Sequence, residues 1–196
     1  MSRSTNCTFT CPCGEAFSSP IYEYVNVAKN PQLQYIVLAG LLNVSTCPSC
    51  GRRAGVLRPF IYSDPLHNLL AYVHPRADAP EEARQLILEK LRTVYMDITP
   101  SQEAEMPPLR VVFGLDQLHE LINAALCPDE RLGRLALSTY SRSDAERGRL
   151  FDIARKLASE MACQVEVEEL PDEYTVWLYG SRRQIGAIMR ELAPRG

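Results

Sequence analysis

Cys47-Pro48-Ser49-Cys50-Gly51, with its shorter counterpart Cys11-Pro12-Cys13-Gly14, is the pair of segments on which the reading of this chain turns. Two cysteines separated by two residues wrap a tight turn, so that both sulfurs face one point about 2.3 Å away. Glycine after the second cysteine accepts the left-handed backbone needed there, and amides within the turn can donate to the sulfurs. Two such turns brought together complete a tetrahedral four-sulfur shell with no open position, which is the structural kind of zinc site. The spacing therefore nominates Cys11, Cys13, Cys47 and Cys50 as ligands of one Zn2+. The first pair is one residue shorter than the second and has the tighter bite. Cys7, four residues before Cys11, stands as the alternative to one member of that pair.

The remaining cysteines and the composition set the context. Seven cysteines is an odd count, and the start, Met-Ser-Arg-Ser-Thr-Asn-Cys, has no apolar signal core, so the expectation is a cytoplasmic protein without a disulfide framework. Cys127 and Cys163 stand singly near expected element ends and read as small apolar fillers. Cys47-Pro48-Ser49-Cys50 also matches a dithiol redox motif, in which a helix N-terminus lowers a thiol pKa. It lies, however, between a helical and a strand-like stretch, and redox chemistry has no need of a second pair. The 196 residues, 46% of them hydrophobic, suffice to bury a core as one domain or two small ones. No apolar run approaches the roughly 20 residues of a membrane span. A net charge of −3 argues against a broad non-specific nucleic-acid binder.

Outward from the cysteines, the first third reads as β-rich around one helix. Thr5–Thr10 and Ile21–Val27 are strand candidates, the latter alternating Ile21, Glu23, Val25 against Tyr22, Tyr24, Asn26. Pro31 opens a helical pattern through Leu33, Ile36, Val37, Gly40 and Leu41, and Ala54–Tyr62 and Asn68–His74 are further strands. This gives a zinc-ribbon-like N-terminal module with an inserted helix over residues 1–75. Pro75–Pro80 is a joint, after which Pro80, Glu81 and Glu82 suit a first helical turn leading to Ala83, Ile87, Leu91 and Val94. Thr99–Pro108 is a linker or exposed loop, Leu109–Phe113 a short strand, and Asp116 the N-cap of a helix over Gln117–Leu126. Pro128 ends that helix and begins a short one through Leu132, Leu135 and Ala136, so residues 76–140 form a helical, connecting region. Ser143 and Glu146 make a capping box before a helix with Leu150, Ile153, Ala154, Leu157 and Met161. Gln164–Leu170 and Tyr174–Tyr179 form a hairpin around Pro171-Asp172-Glu173, and Ser181 caps a final helix. Residues 141–196 thus read as a helix-hairpin-helix unit, and the fold class as α+β.

Several of these segments carry a family likeness. They are the cysteine pairs, Asn30-Pro31-Gln32-Leu33 leading to Gly40-Leu41-Leu42-Asn43, and Phe60-Ile61-Tyr62-Ser63-Asp64-Pro65. With them the chain resembles the CpXC domain proteins of bacteria and archaea over residues 5–75, and more weakly to about 140 through Leu109–Gly114. Two departures stand out. Cys11-Pro12-Cys13 lacks the extra residue of the family's Cys-Pro-x-Cys, and Ser63 occupies a position where histidine is common. The resemblance implies a cysteine-built, zinc-binding module and supplies no reaction.

Catalysis finds little support. His67, His74 and His119 fall in no nucleophile or zinc-hydrolase motif, a four-sulfur site has no place for water, and there is no phosphate-binding glycine loop. Asp64 and His67 can pair locally, as a turn aspartate beside a surface histidine. The expected function is a non-catalytic interaction or assembly module whose zinc is structural, with a protein partner or a second copy as its target. No membrane and no small-molecule substrate are evident. Nucleic acid is the alternative: residues 1–75 carry +2 and the remainder −5, and Arg52, Arg53 and Arg58 follow the second cysteine pair with Tyr22, Tyr24, Phe60 and Tyr62 as stacking groups. Arginine outnumbers lysine 18 to 3 throughout, which makes a local arginine cluster less telling. A thiol redox role is the second alternative. In the C-terminal hairpin, Glu166 and Glu168 share one solvated face, and Trp177 and Tyr179 are candidates for an interface or for core packing.

Overall fold

The computed structural model describes residues 1–98 and 107–193, and its architecture is mixed α+β. The first sheet begins with a long antiparallel hairpin of β1 (Arg3–Thr10) and β2 (Ala16–Asn26), whose tip joins Thr10 to Ala16. The period of two along β2 puts Ile21 and Val25 wholly inside. Helix α1 (Gln32–Leu38), with Pro31 at its N-cap, buries Leu33, Ile36 and Val37. A second, short antiparallel hairpin follows, β3 (Val44–Thr46) with β4 (Arg53–Gly55).

The expected single strand Ala54–Tyr62 is thus two. Pro59 has no amide to give a ladder, and past it the chain enters β5 (Phe60–Asp64) of the first sheet. A 3-10 turn over Pro65–His67, closed by Asn68 at φ 54°, leads into the antiparallel β6 (Leu69–His74). Helix α2 (Glu81–Ile98) is the crossover to β7 (Leu109–Phe113), which pairs parallel to β6. The sheet order is β1-β2-β5-β6-β7, so this sheet draws strands from both sides of the Pro75–Pro80 joint. Within Thr99–Pro108, residues 99–106 lie outside the described residues. Helix α3 (Leu115–Ala125) starts after Gly114 at φ 82°, which puts Asp116 in its first turn rather than at its cap. Tyr62, Val25 and Val73 of the sheet pack with Val37 of α1 and Leu118 and Ile122 of α3 as one core.

The short helix expected through Leu132, Leu135 and Ala136 is instead a strand, β8 (Leu132–Thr139). Leu135 and Leu137 lie opposite Leu178 and Val176 of β10 (Tyr174–Ser181), so period-two pairing with a buried partner strand overrides the local helical spacing. Helix α4 (Asp144–Met161) connects β8 to β9 (Gln164–Glu169), and α5 (Arg182–Leu192) follows β10. The second sheet is antiparallel, in the order β8-β10-β9. Ala154, Ala158, Ile185 and Ile188 of the two helices cover Val176 and Leu178, making a second core. The expected capping box of Ser143 and Glu146 is not made, for the Ser143 hydroxyl bonds no amide of the helix. The reciprocal box sits at α5, where Ser181 Oγ accepts from Gln184 N–H at 3.1 Å and Gln184 Oε1 from Ser181 N–H at 2.7 Å. No helix among the described residues is long and apolar enough to cross a membrane.

Candidate metal centre

Each cysteine pair sits at the tip of an antiparallel hairpin, and local hydrogen bonds shape it. In the first, Cys11 N–H donates to Glu15 O at 2.8 Å and Gly14 N–H to Cys11 O at 2.9 Å, with Gly14 at φ 95°. In the second, Cys47 N–H donates to Arg52 O and Gly51 N–H to Cys47 O, both at 2.9 Å, with Gly51 at φ 68°. Both glycines occupy the left-handed region that any other residue enters only under strain. Between the tips, Ser49 Oγ donates to Glu15 Oε2 at 2.9 Å.

The four sulfurs of Cys11, Cys13, Cys47 and Cys50 all lie within 4.8 Å of one another. The cross-tip pairs are Cys11 with Cys50 at 3.5 Å and Cys13 with Cys47 at 3.7 Å. A regular tetrahedron of sulfurs around Zn2+ at about 2.3 Å has edges of about 3.8 Å, so the donor set and its spacing fit that ion. Each tip contributes one buried sulfur, Cys11 or Cys47, and one exposed, Cys13 or Cys50. The sulfurs also tune one another. Burial opposes ionisation of Cys47, but the amides of Cys50 and Ser49 and the neighbouring sulfurs of Cys11 and Cys13 outweigh it and bring the thiol down to about 7. The Cys13 amide pulls Cys11 down, yet burial and the surrounding Cys13, Cys50 and Cys47 sulfurs prevail and push it up to about 12. Of these two buried sulfurs, Cys47 is therefore the one that ionises first.

The other candidates lie elsewhere. Cys7 is half-buried on β1 opposite Ser19, away from the four converging sulfurs. Cys163 packs against the second core, and burial pushes its thiol up to about 11. Cys127 is exposed and fills nothing, unlike the filler expected. Asp64 and His67 do pair, His67 Nδ1 to Asp64 Oδ2 at 2.7 Å, but Asp64 is the fully buried end of β5 rather than a turn residue, and His67 is itself half-buried. The sequence signal for that burial was the run Phe60-Ile61-Tyr62-Ser63-Asp64, whose last residue ends an interior strand. His119 Nε2 lies 2.9 Å from Val37 O, and the His74 ring lies tilted at 49° beside Phe113, so each histidine has its own surroundings. Of the proposed stacking aromatics, Phe60 and Tyr62 are core residues, and Tyr22 and Tyr24 are half-buried. Arg53 Nη2 donates to Val167 O at 3.2 Å.

A family model described as CpXC protein matches residues 9–126, more than half of the chain, including both hairpin tips and every element from β2 through α3. No curated protein and no solved structure matches the chain.

Proposed function

The chain belongs to the CpXC family, and from that membership we propose that it is a zinc-binding interaction module in which the metal is structural. Cys11, Cys13, Cys47 and Cys50 hold one Zn2+, and two hairpins each presenting a cysteine turn form its zinc-ribbon-like part. The observation that carries the reading is the convergence of four sulfurs from two hairpin tips to within 4.8 Å of one another. Four thiolates fill a tetrahedral ion and leave no position for a water, so the ion supplies folding energy rather than hydrolysis. The short β3–β4 hairpin needs such support, since all three residues of β4 are exposed and contribute nothing to the core. In this reading residues 1–75 form the zinc module, 76–140 connect, 141–196 form a small α+β unit, and the protein works in the cytoplasm on a protein partner or a second copy. The burial of Phe60 and Tyr62 removes two stacking groups from the nucleic-acid alternative.

The test is elemental analysis of protein purified without added metal, run beside Cys13→Ser, Cys47→Ser and Cys7→Ser. The expected outcome is one zinc per chain in the wild type and in Cys7→Ser, and none in the other two. A folded, metal-free wild type with four titratable thiols at the hairpin tips would overturn the reading.

A further inference from the structure

We infer that β9 and the second cysteine turn frame a docking cleft for a basic, extended peptide segment of a protein partner. The inference rests on the interaction-module reading above and names the kind of partner that module takes.

Among the described residues strand β9 is an edge, paired to β10 on one side only. Leu170 N–H donates to Glu173 O at 2.8 Å and Glu173 N–H to Leu170 O at 3.4 Å, which fixes the phase of the antiparallel ladder. Residues in step with Leu170 turn their backbone groups toward β10, and Val167 and Glu169 turn theirs outward. Outward groups of an edge strand are a ready template for a further strand. They open into a cleft of about 590 Å³, walled on one side by Val167–Leu170 and on the other by Cys47–Gly51. Half-exposed Leu170 offers an apolar contact to one of the alternate side chains of such a strand.

Charge selects the occupant. Glu168 and Glu169 line the β9 wall, the first holding the neutral Trp177 indole N–H at 2.8 Å and the second compensated by its ion pair with Arg147, so Glu168 is the uncompensated carboxylate of that wall. Each keeps acceptor capacity beyond that contact. On the facing wall, four thiolates around one divalent ion leave a net negative charge, and Glu15 joins it through Ser49. Among the described residues the one cation lining the cleft is Arg53, whose guanidinium donates to the outward Val167 carbonyl at 3.2 Å. Arg53 is thus a tethered example of the guest, and an intramolecular competitor for it.

The experiment titrates the purified 196-residue chain with a short synthetic peptide alternating lysine and valine. A glutamate–valine peptide of equal length and a mixed-sequence single-stranded oligonucleotide run beside it. Zinc is measured on the same samples. The expected result is binding of the lysine–valine peptide alone, weakening as salt screens the acidic wall. The double variant Glu168→Gln with Glu169→Gln should lower affinity about tenfold, the scale of losing one or two charge-assisted contacts. Arg53→Ala should raise affinity by emptying the Val167 carbonyl. Val167→Pro, which removes an outward amide that the native ladder does not use, should abolish binding while the chain stays folded. Binding that is unchanged in the glutamine pair and in Arg53→Ala overturns the inference even if Val167→Pro fails to fold. So does preferential binding of the oligonucleotide, or a wild-type dimer that Val167→Pro dissolves. Loaded zinc with no peptide binding overturns the docking cleft and leaves the metal reading standing. Peptide binding by a zinc-free wild type supports the cleft and overturns the metal reading.

Discussion

Cys47 shows how much one residue's surroundings do that its chemistry alone does not. Two backbone amides and two sulfurs stabilise its thiolate against the penalty of burial. In the metal-stripped chain its pKa lies at about 7 instead of the ordinary 9.0. Because the folded value is the lower one, the group stabilises the metal-free fold in full above the free-thiol pKa. That contribution is lost as pH falls through about 7. Thiolate absorbance of the stripped protein should therefore show its first step near pH 7, and the step should vanish in Cys47→Ser. A first step near the free-thiol value in both proteins would contradict the geometry of the turn. Asp64 teaches the same lesson in reverse. A residue that reads as a turn aspartate beside a surface histidine is fully buried, because its strand runs into the interior.

Among the elements, the helix caps separate what local sequence signals from what forms. Ser143 with Glu146 reads as a capping box and Ser181 only as a cap, yet it is Ser181, with Gln184, that closes a box. Gln184 is held at both ends of its amide, its Nε2 donating to Met161 O at 2.7 Å while its Oε1 accepts from Ser181 N–H, so packing against the end of α4 fixes that box. Ser181→Ala should cost about 1 kcal/mol of unfolding free energy, and Ser143→Ala only a small fraction of it. Urea midpoints of the two variants measured side by side check the ordering, and an equal loss in both would contradict it. The strand β8 makes the complementary point, since Leu132, Leu135 and Ala136 have helical spacing but take their partners from β10.

On the scale of the whole molecule, two sheets carry two separate hydrophobic cores, and the cysteine centre ties only the hairpin tips of the first region. On the proposed zinc reading, removing the ion with a chelator should therefore loosen the chain unevenly. Amide hydrogen exchange should accelerate by about tenfold or more in β3–β4 and at the tip of β1–β2, the low-stability end of the structure. The β8–β10 ladder should keep its protection, because its stability comes from Ala154, Ala158, Ile185 and Ile188 packed on Val176 and Leu178. Uniform loss of protection across both sheets would show that the metal supports the entire fold. The burial of Asp64 and Tyr62 in the first core gives that region polar groups to satisfy internally, with Asp64 Oδ1 and the Tyr62 hydroxyl lacking protein partners among the described residues.

The amino-acid sequence alone determined the chemistry of the cysteine turns, because spacing, proline and glycine act within a few residues and need no distant partner. It determined most strands and helices for the same reason, since periodicity and helix-breaking residues are local properties. Only the tertiary structure decided which two hairpin tips meet, that β7 joins β6, that Leu132–Thr139 pairs as a strand, and that β9 faces the second cysteine turn across a cleft. Those outcomes depend on burial shared between segments far apart in the chain, and a favourable local pattern yields wherever a distant partner offers more buried surface.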